Sequence, residues 1–170
     1  MYKGIAGSEG IGIGKVVLIE EHDLTVEKKS VTDTDAELKR LQDAIEKFVS
    51  ITNEMADKMA KTVGEQDADI LRGHIIMLQD PMIEEQISAL MISEKISAEM
   101  ALEQVLDQTA EMFAQIPDEL LQQRATDFRD IKTRMVTLLL GIEDVDISQV
   151  PANTVLVARD LTPSMTAGIN

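Results

Sequence analysis

The chain is predicted to be mainly α: an antiparallel four-helix-type bundle inserted into a small, incomplete α/β unit. Three observations predict it. Between about residues 33 and 140, apolar side chains recur at steps of three and four, the helical period. Two β-branched runs, KVVLIE after Gly14 and TVLVA from Thr154, stand at opposite ends of the chain, so the bundle interrupts whatever they form together. Two strands and part of one helix cannot cover a sheet on both faces, which makes the α/β unit incomplete. The division is 1–30 for the first strand and linker, 31–145 for the bundle, and 146–170 for the return strand and the start of a helix.

The opening MYKGIAGSEGIGIGK holds five of the nine glycines and invites a phosphate-loop reading, which fails. A Walker loop ending at Gly14-Lys15 needs glycine where Glu9 stands and a hydroxyl where Val16 stands; a dinucleotide fingerprint from Gly10 needs glycine where Lys15 stands. The glycines lead instead into a strand over Gly10–Glu20 with close backbone approaches, followed by a polar linker through Ser30. A long helix follows from about Asp33 to Val63. Its seam is Leu38, Leu41, Ile45, Phe48, Thr52, Met55 and Met59, Thr32 or Thr34 can cap it, and Gly64 ends it. At 1.5 Å per residue such a helix is about 45 Å long and requires antiparallel neighbours.

Residues 67–93 supply a broken helix. Pro81 has no N–H to donate and drives Asp80 out of the α region, so one helix becomes two at an exposed corner. Ile70, His74, Met77 and Leu78 share a side of the first piece, and Ile75 and Ile76 widen it, with Asp67 and Asp69 in the first turn. That surface either docks a basic partner or faces the core, and periodicity does not separate the two. A lone histidine among aliphatics is commonly a hydrogen-bonded core residue. Ser97 opens a helix to about Gln115 with Ala101, Val105, Met112, Phe113 and Ile116 inward, which Pro117 stops. Asp118–Leu140 forms the last bundle helix, with Leu121, Phe128, Ile131, Met135 and Leu138 on one face and Gly141 as the stop. Arg124, Arg129, Lys132 and Arg134 make it the richest in base relative to acid of the helices, and pairing with acids on neighbouring helices is their plain role. After an acidic connector come the return strand Thr154–Ala158 and a helix start at Thr162-Pro163-Ser164.

Composition narrows the function. Sixteen basic against 31 acidic residues give a net charge of −15, which repels phosphate backbones and anionic lipid and favours a basic protein partner. No apolar run is long enough to span a membrane, the N-terminus lacks a signal peptide's pattern, and there is no cysteine, all of which fit a cytoplasmic protein. Thiol catalysis and most zinc sites are excluded. A di-iron bundle needs glutamate three residues before histidine, where Ile19 and Leu71 precede His22 and His74. An EF-hand from Asp33 needs glycine where Leu38 sits. No catalytic constellation and no metal site are expected within the chain.

Four stretches, GIAGSEGIGIGKV, RGHIIMLQDPMIEEQI, RATDFRDI and VLVARDLTPSMTA, closely resemble, in order and over essentially the whole chain, the N-terminal region of Enzyme I. Enzyme I is the phosphoenolpyruvate-protein phosphotransferase of the bacterial sugar phosphotransferase system. The resemblance implies a phosphohistidine-type α/β unit. It also implies that phosphoenolpyruvate, bound with Mg2+ in a C-terminal domain that also mediates homodimerisation, phosphorylates a histidine, which passes the group to the phosphocarrier HPr. No cofactor is implied for this segment. The implied HPr contacts are Glu65, Asp69, Ile70, His74, Met77, Asp80 and Arg124, an acidic, Ile- and Met-rich corner facing HPr's apolar, base-rimmed surface. The family's phosphorylated histidine lies in a Gly-Gly-Arg-Thr-Ser-His segment that these residues do not include, and neither His22 nor His74 has its context. The segment is therefore expected to bind HPr and not to be phosphorylated itself. The alternatives are a helical scaffold that self-associates through the seam of 38–59, or a nitrogen-regulatory or fused multiphosphoryl paralogue.

Overall fold

In the computed structural model, residues 9–19, 24, 26, 29–142 and 150–158 are described. His22, the residues from Arg159 onward with the helix start at Thr162, and most of the linker and acidic connector lie outside them. The described elements are β1 (Lys15–Leu18), α1 (Thr34–Thr62), α2 (Glu65–Leu78), α3 (Pro81–Glu94), α4 (Ala98–Ala114), α5 (Glu119–Leu140) and β2 (Thr154–Val157). The mainly helical class and the pairing of the two terminal strands are as expected.

β1 and β2 pair in parallel, Lys15 opposite Thr154 and Leu18 opposite Val157. A parallel pair needs a long crossover, and the whole bundle serves as one. The close approach expected of the glycine-rich opening occurs at Gly14, where an added Cβ would overlap the Asn153 carbonyl. Gly14→Ala is therefore expected to push the strands apart and to speed exchange of the Lys15 amide, which donates to Asn153 O at 3.1 Å, by roughly tenfold or more. Unchanged protection would show that the pair tolerates the methyl.

α1 is capped by Asp33, whose carboxylate accepts from the Ala36 N–H at 3.0 Å, rather than by either flanking threonine. A carboxylate suits the positive helix end as well as the hydroxyls do and adds its charge. The seam is spent internally: Leu41, Ile45, Phe48, Thr52 and Met59 are buried, with Leu38 and Met55 at its edges. This removes the scaffold reading, which needed that seam free.

α2 returns along α1, with Arg72 reaching back to Asp57 at 3.6 Å. α4 and α5 form the second hairpin, tied by Lys132 to Asp107 at 2.7 Å, and α3 packs on α4. α1 crosses α5 where Arg134 lies over the Phe48 ring, 4.3 Å from its centroid, and donates to Thr52 Oγ1. At the far end Glu37 joins three helices. It accepts from Arg40 Nε at 3.0 Å and from the Ala98 N–H that opens α4 at 2.8 Å, while Arg40 bonds Glu99 and, at 2.9 Å, the Leu139 carbonyl. The Arg40 hydrogen bond, assisted by that amide, holds the Glu37 carboxyl below its usual range against the opposing effect of burial.

Two residues expected inward are not. Met112 lies two positions past buried Ala110, about 200° round the helix, and is exposed; Leu121, in the first turn of α5, is at the rim. α5 ends as expected, with Gly141 left-handed at φ 66° and its N–H returned to the Leu138 carbonyl at 3.2 Å.

Candidate docking surface

The corner between α2 and α3 is built by Asp80 and Pro81. Asp80 is extended and its carboxylate accepts from Met82 N at 2.8 Å, while Pro81 takes the first helical position, where its missing N–H costs nothing. The chain thus turns sharply and, among the described residues, leaves one face of α2 without a covering helix.

At about 100° per residue, Asp69, Gly73, Ile76, Met77 and Ile70 fall in one sector of α2, and Leu71 and Leu78 in the opposite one. Burial follows this division. Ile70 is 45% and Ile76 73% exposed, Met77 is half-buried, and Leu71 and Leu78 are enclosed. Glu65, Asp69 and Asp80 are exposed around the ridge. Arg72 donates to Glu65 at 2.9 Å and to Asp69 at 3.0 Å, which gathers the acids on one flank and offsets part of their charge.

His74 corrects the expectation that it is an open contact. It lies about 40° beyond Ile70 on the core side, is 1% exposed, and sits between two carboxylates of α5. Its Nε2 is 3.4 Å from Asp127 Oδ1 and its Nδ1 3.4 Å from Asp130 Oδ2. Arg124, on the first turns of α5, continues this series of polar contacts. Its Nη1 lies 3.2 Å from Asp127 Oδ2 and 3.9 Å from Met77 Sδ. A Cβ added at Gly73 would stand 3.9 Å from that nitrogen, an ordinary contact distance, so the guanidinium lies near Gly73 with room for a methyl between them. His74 thus ties α2 to α5 beneath the surface, and Asp127 connects it to the exposed Arg124.

Burial works against the Asp127 charge, but His74 and Arg124 outweigh it and hold the carboxyl below its usual range. A depressed folded-state pKa contributes stability above the unfolded value of about 4, which is lost as pH falls through the lower folded value. Asp127→Asn should therefore be less stable than the parent at neutral pH, and the urea midpoints of the two should converge as pH falls below about 4. A constant gap down to the acid limit would refute this coupling.

Beside the ridge a cleft of about 580 Å³ opens between the helices. Met77, Met82, Met112, Phe113 and Phe128 line it, with Asp80 and Arg124 among its polar groups. Of the seven residues expected at the surface, Glu65, Asp69, Ile70, Met77, Asp80 and Arg124 are brought to this side and His74 is placed beneath them. Ile76 and Gly73 also belong to the ridge; the helical period gives Ile76 only as general apolar width of α2, and a glycine gives no periodic signal.

The family described as PEP-utilising enzyme, N-terminal, matches residues 3–124. Over 171 residues the chain is 39% identical to the phosphoenolpyruvate-protein phosphotransferase of Enterococcus faecalis, and over 168 residues 36% identical to that of Bacillus subtilis. The alignments take in 100% and 99% of this chain but only 30% of either relative, so the chain spans about a third of their length. An NMR solution structure of Enzyme I (nEIt) superposes with a TM-score of 0.88 at 32% identity, covering 99% of this chain and 68% of that one. The N-terminal domain of Enzyme 1 - Nitrogen shares the fold, with a TM-score of 0.73 at 24% identity over 95% of this chain and 66% of its own. Sequence, fold and the strand-bundle-strand order agree: the chain belongs to the PEP-utilising enzyme, N-terminal, family and is of the Enzyme I N-terminal type.

Proposed function

We propose that this chain is the N-terminal segment of an Enzyme I that takes a phosphoryl group from phosphoenolpyruvate onto a histidine and passes it to HPr for sugar uptake, and that its bundle docks HPr. The observation that carries the reading is the uncovered ridge of Ile70, Ile76 and Met77, rimmed by Glu65, Asp69 and Asp80 and flanked by Arg124, on a chain of this family. An apolar centre with a charged rim suits a partner whose own apolar patch is ringed by bases, with the charges setting approach and register. In this reading the bundle of 31–145 is the docking unit, and 1–30 with 146–170 contribute to the α/β unit.

His74 contributes from below by fixing Arg124 through Asp127, and it is not the phosphoryl acceptor, because a ring that is 1% exposed between two carboxylates cannot meet a phosphate donor. Mg2+, phosphoenolpyruvate binding and homodimerisation belong to the C-terminal domain of the whole cytoplasmic enzyme. Among the described residues no group of three or more His, Cys, Asp or Glu side chains could hold a metal ion, and no helix is long and apolar enough to cross a membrane. The greater identity to Enzyme I than to the nitrogen-type domain favours HPr over a nitrogen-branch carrier.

Calorimetric titration with HPr tests the reading. A one-to-one complex should form and weaken as salt rises. Absence of binding, or tighter binding of a nitrogen-branch carrier, would overturn it.

A further inference from the structure

We propose that Met82 and Met112 form a methionine-oxidation site through which a peroxide-class oxidant weakens docking at this surface. Among the described residues they are the only exposed methionines, at 66% and 57%, while Met59, Met91 and Met135 are buried. They come from different helices, α3 and α4, yet both line the cleft beside the ridge. Met77, the third methionine there, is half-buried with its sulfur against Arg124. The two exposed thioethers of the described residues are thus gathered at one place, the proposed docking side, while half-buried Met55 and Met100 do not line the cleft.

A thioether sulfur attacks the terminal peroxide oxygen, the O–O bond breaks, an S–O bond forms, and the displaced oxygen leaves as water. The sulfur is oxidised by two electrons and the peroxide reduced by two. The product is polar and a strong hydrogen-bond acceptor, so a wall that offered flexible apolar contact would have to be desolvated before a partner could cover it. The step is reversible by methionine sulfoxide reductases, which suits control as well as damage. The consequence for docking rests on the HPr reading above; the placement of the two sulfurs does not.

The chain is treated with hydrogen peroxide, freed of oxidant, mapped by peptide mass spectrometry and titrated with untreated HPr. Sulfoxide is expected at Met82 and Met112 well before Met59, Met91 and Met135, with affinity for HPr falling on the order of tenfold and returning after reductase treatment. A Met82→Leu/Met112→Leu double variant, titrated before and after the same treatment, should keep whatever affinity it starts with. Oxidation spread evenly over buried and exposed methionines, an affinity unchanged after full conversion of the two, or equal loss in the double variant overturns the inference. If untreated chain fails to bind HPr, the docking reading falls and takes this consequence with it, a result distinct from binding that survives oxidation.

Discussion

Replacing Phe48 with alanine is expected to destabilise the bundle by about 3–5 kcal/mol, a fall in Tm on the order of 10 °C for a chain of this size. Phe48 is fully enclosed at the centre of α1, in the cluster that joins α1 to Leu78, Ile87, Leu102 and Ile131 on four other helices. Its ring also lies beneath the Arg134 guanidinium. Removing it leaves a cavity and strips a mostly buried cation of the face it rests on, so the cost should lie toward the upper part of that range. Phe48→Leu, which keeps most of the volume, should cost clearly less. Denaturant midpoints with unchanged slope are the measurement. A loss below about 1 kcal/mol would mean that α1 is not the central helix of the core.

The second large effect is expected at the surface. Ile70→Asp with Ile76→Asp should reduce affinity for HPr by roughly a hundredfold, about 2.7 kcal/mol, while leaving Tm nearly unchanged. Ile76 faces mainly water and Ile70 is nearly half exposed in the free chain, so the fold loses little. In the complex their places would be taken by carboxylates beside Glu65, Asp69 and Asp80, and burying them without partners is costly. Calorimetry for affinity and a thermal melt for fold separate the two effects. If affinity survives, the ridge is not the contact.

Much of the architecture was legible because it rests on local rules. The seam of α1 repeats strictly enough to mark its buried side, Pro81 dictates the corner, and Gly141 dictates the end of α5. That the terminal strands lie side by side followed from two β-branched runs left without other partners; their parallel sense and register come from the structure. What failed was finer than the helical period. Steps of three and four group Ile70, His74, Met77 and Leu78 together but do not tell the edges of that stripe from its middle, so buried His74 and half-buried Met77 read alike.

The partners that decide the role of His74, Asp127 and Asp130, lie 53 or more residues away on α5, and nothing local announces them. Arg124 stood out as a base, but its position over Gly73 depends on how α5 packs against α2. Met112 is apolar and so matches a core pattern, whereas burial in α4 is carried by Ala98, Ala101, Leu102, Val105, Leu106 and Ala110. The plain role for the α5 bases held for Lys132, which pairs with Asp107 on α4. Arg134 has a further role that charge alone does not announce, seated over Phe48 and bonded to a threonine hydroxyl.

On the proposed function, the solvent-facing side of α2, together with the start of α5, receives the phosphocarrier. Chemical-shift mapping of the isotope-labelled chain during titration with unlabelled HPr tests it most directly. The prediction is a contiguous set of perturbations at Glu65, Asp69, Ile70, Gly73, Ile76, Met77, Asp80 and Arg124, with the His74 ring responding through Asp127 although it touches nothing of the partner. Perturbations confined to β1 and β2 or to the outer face of α1, with those amides unmoved, would contradict it.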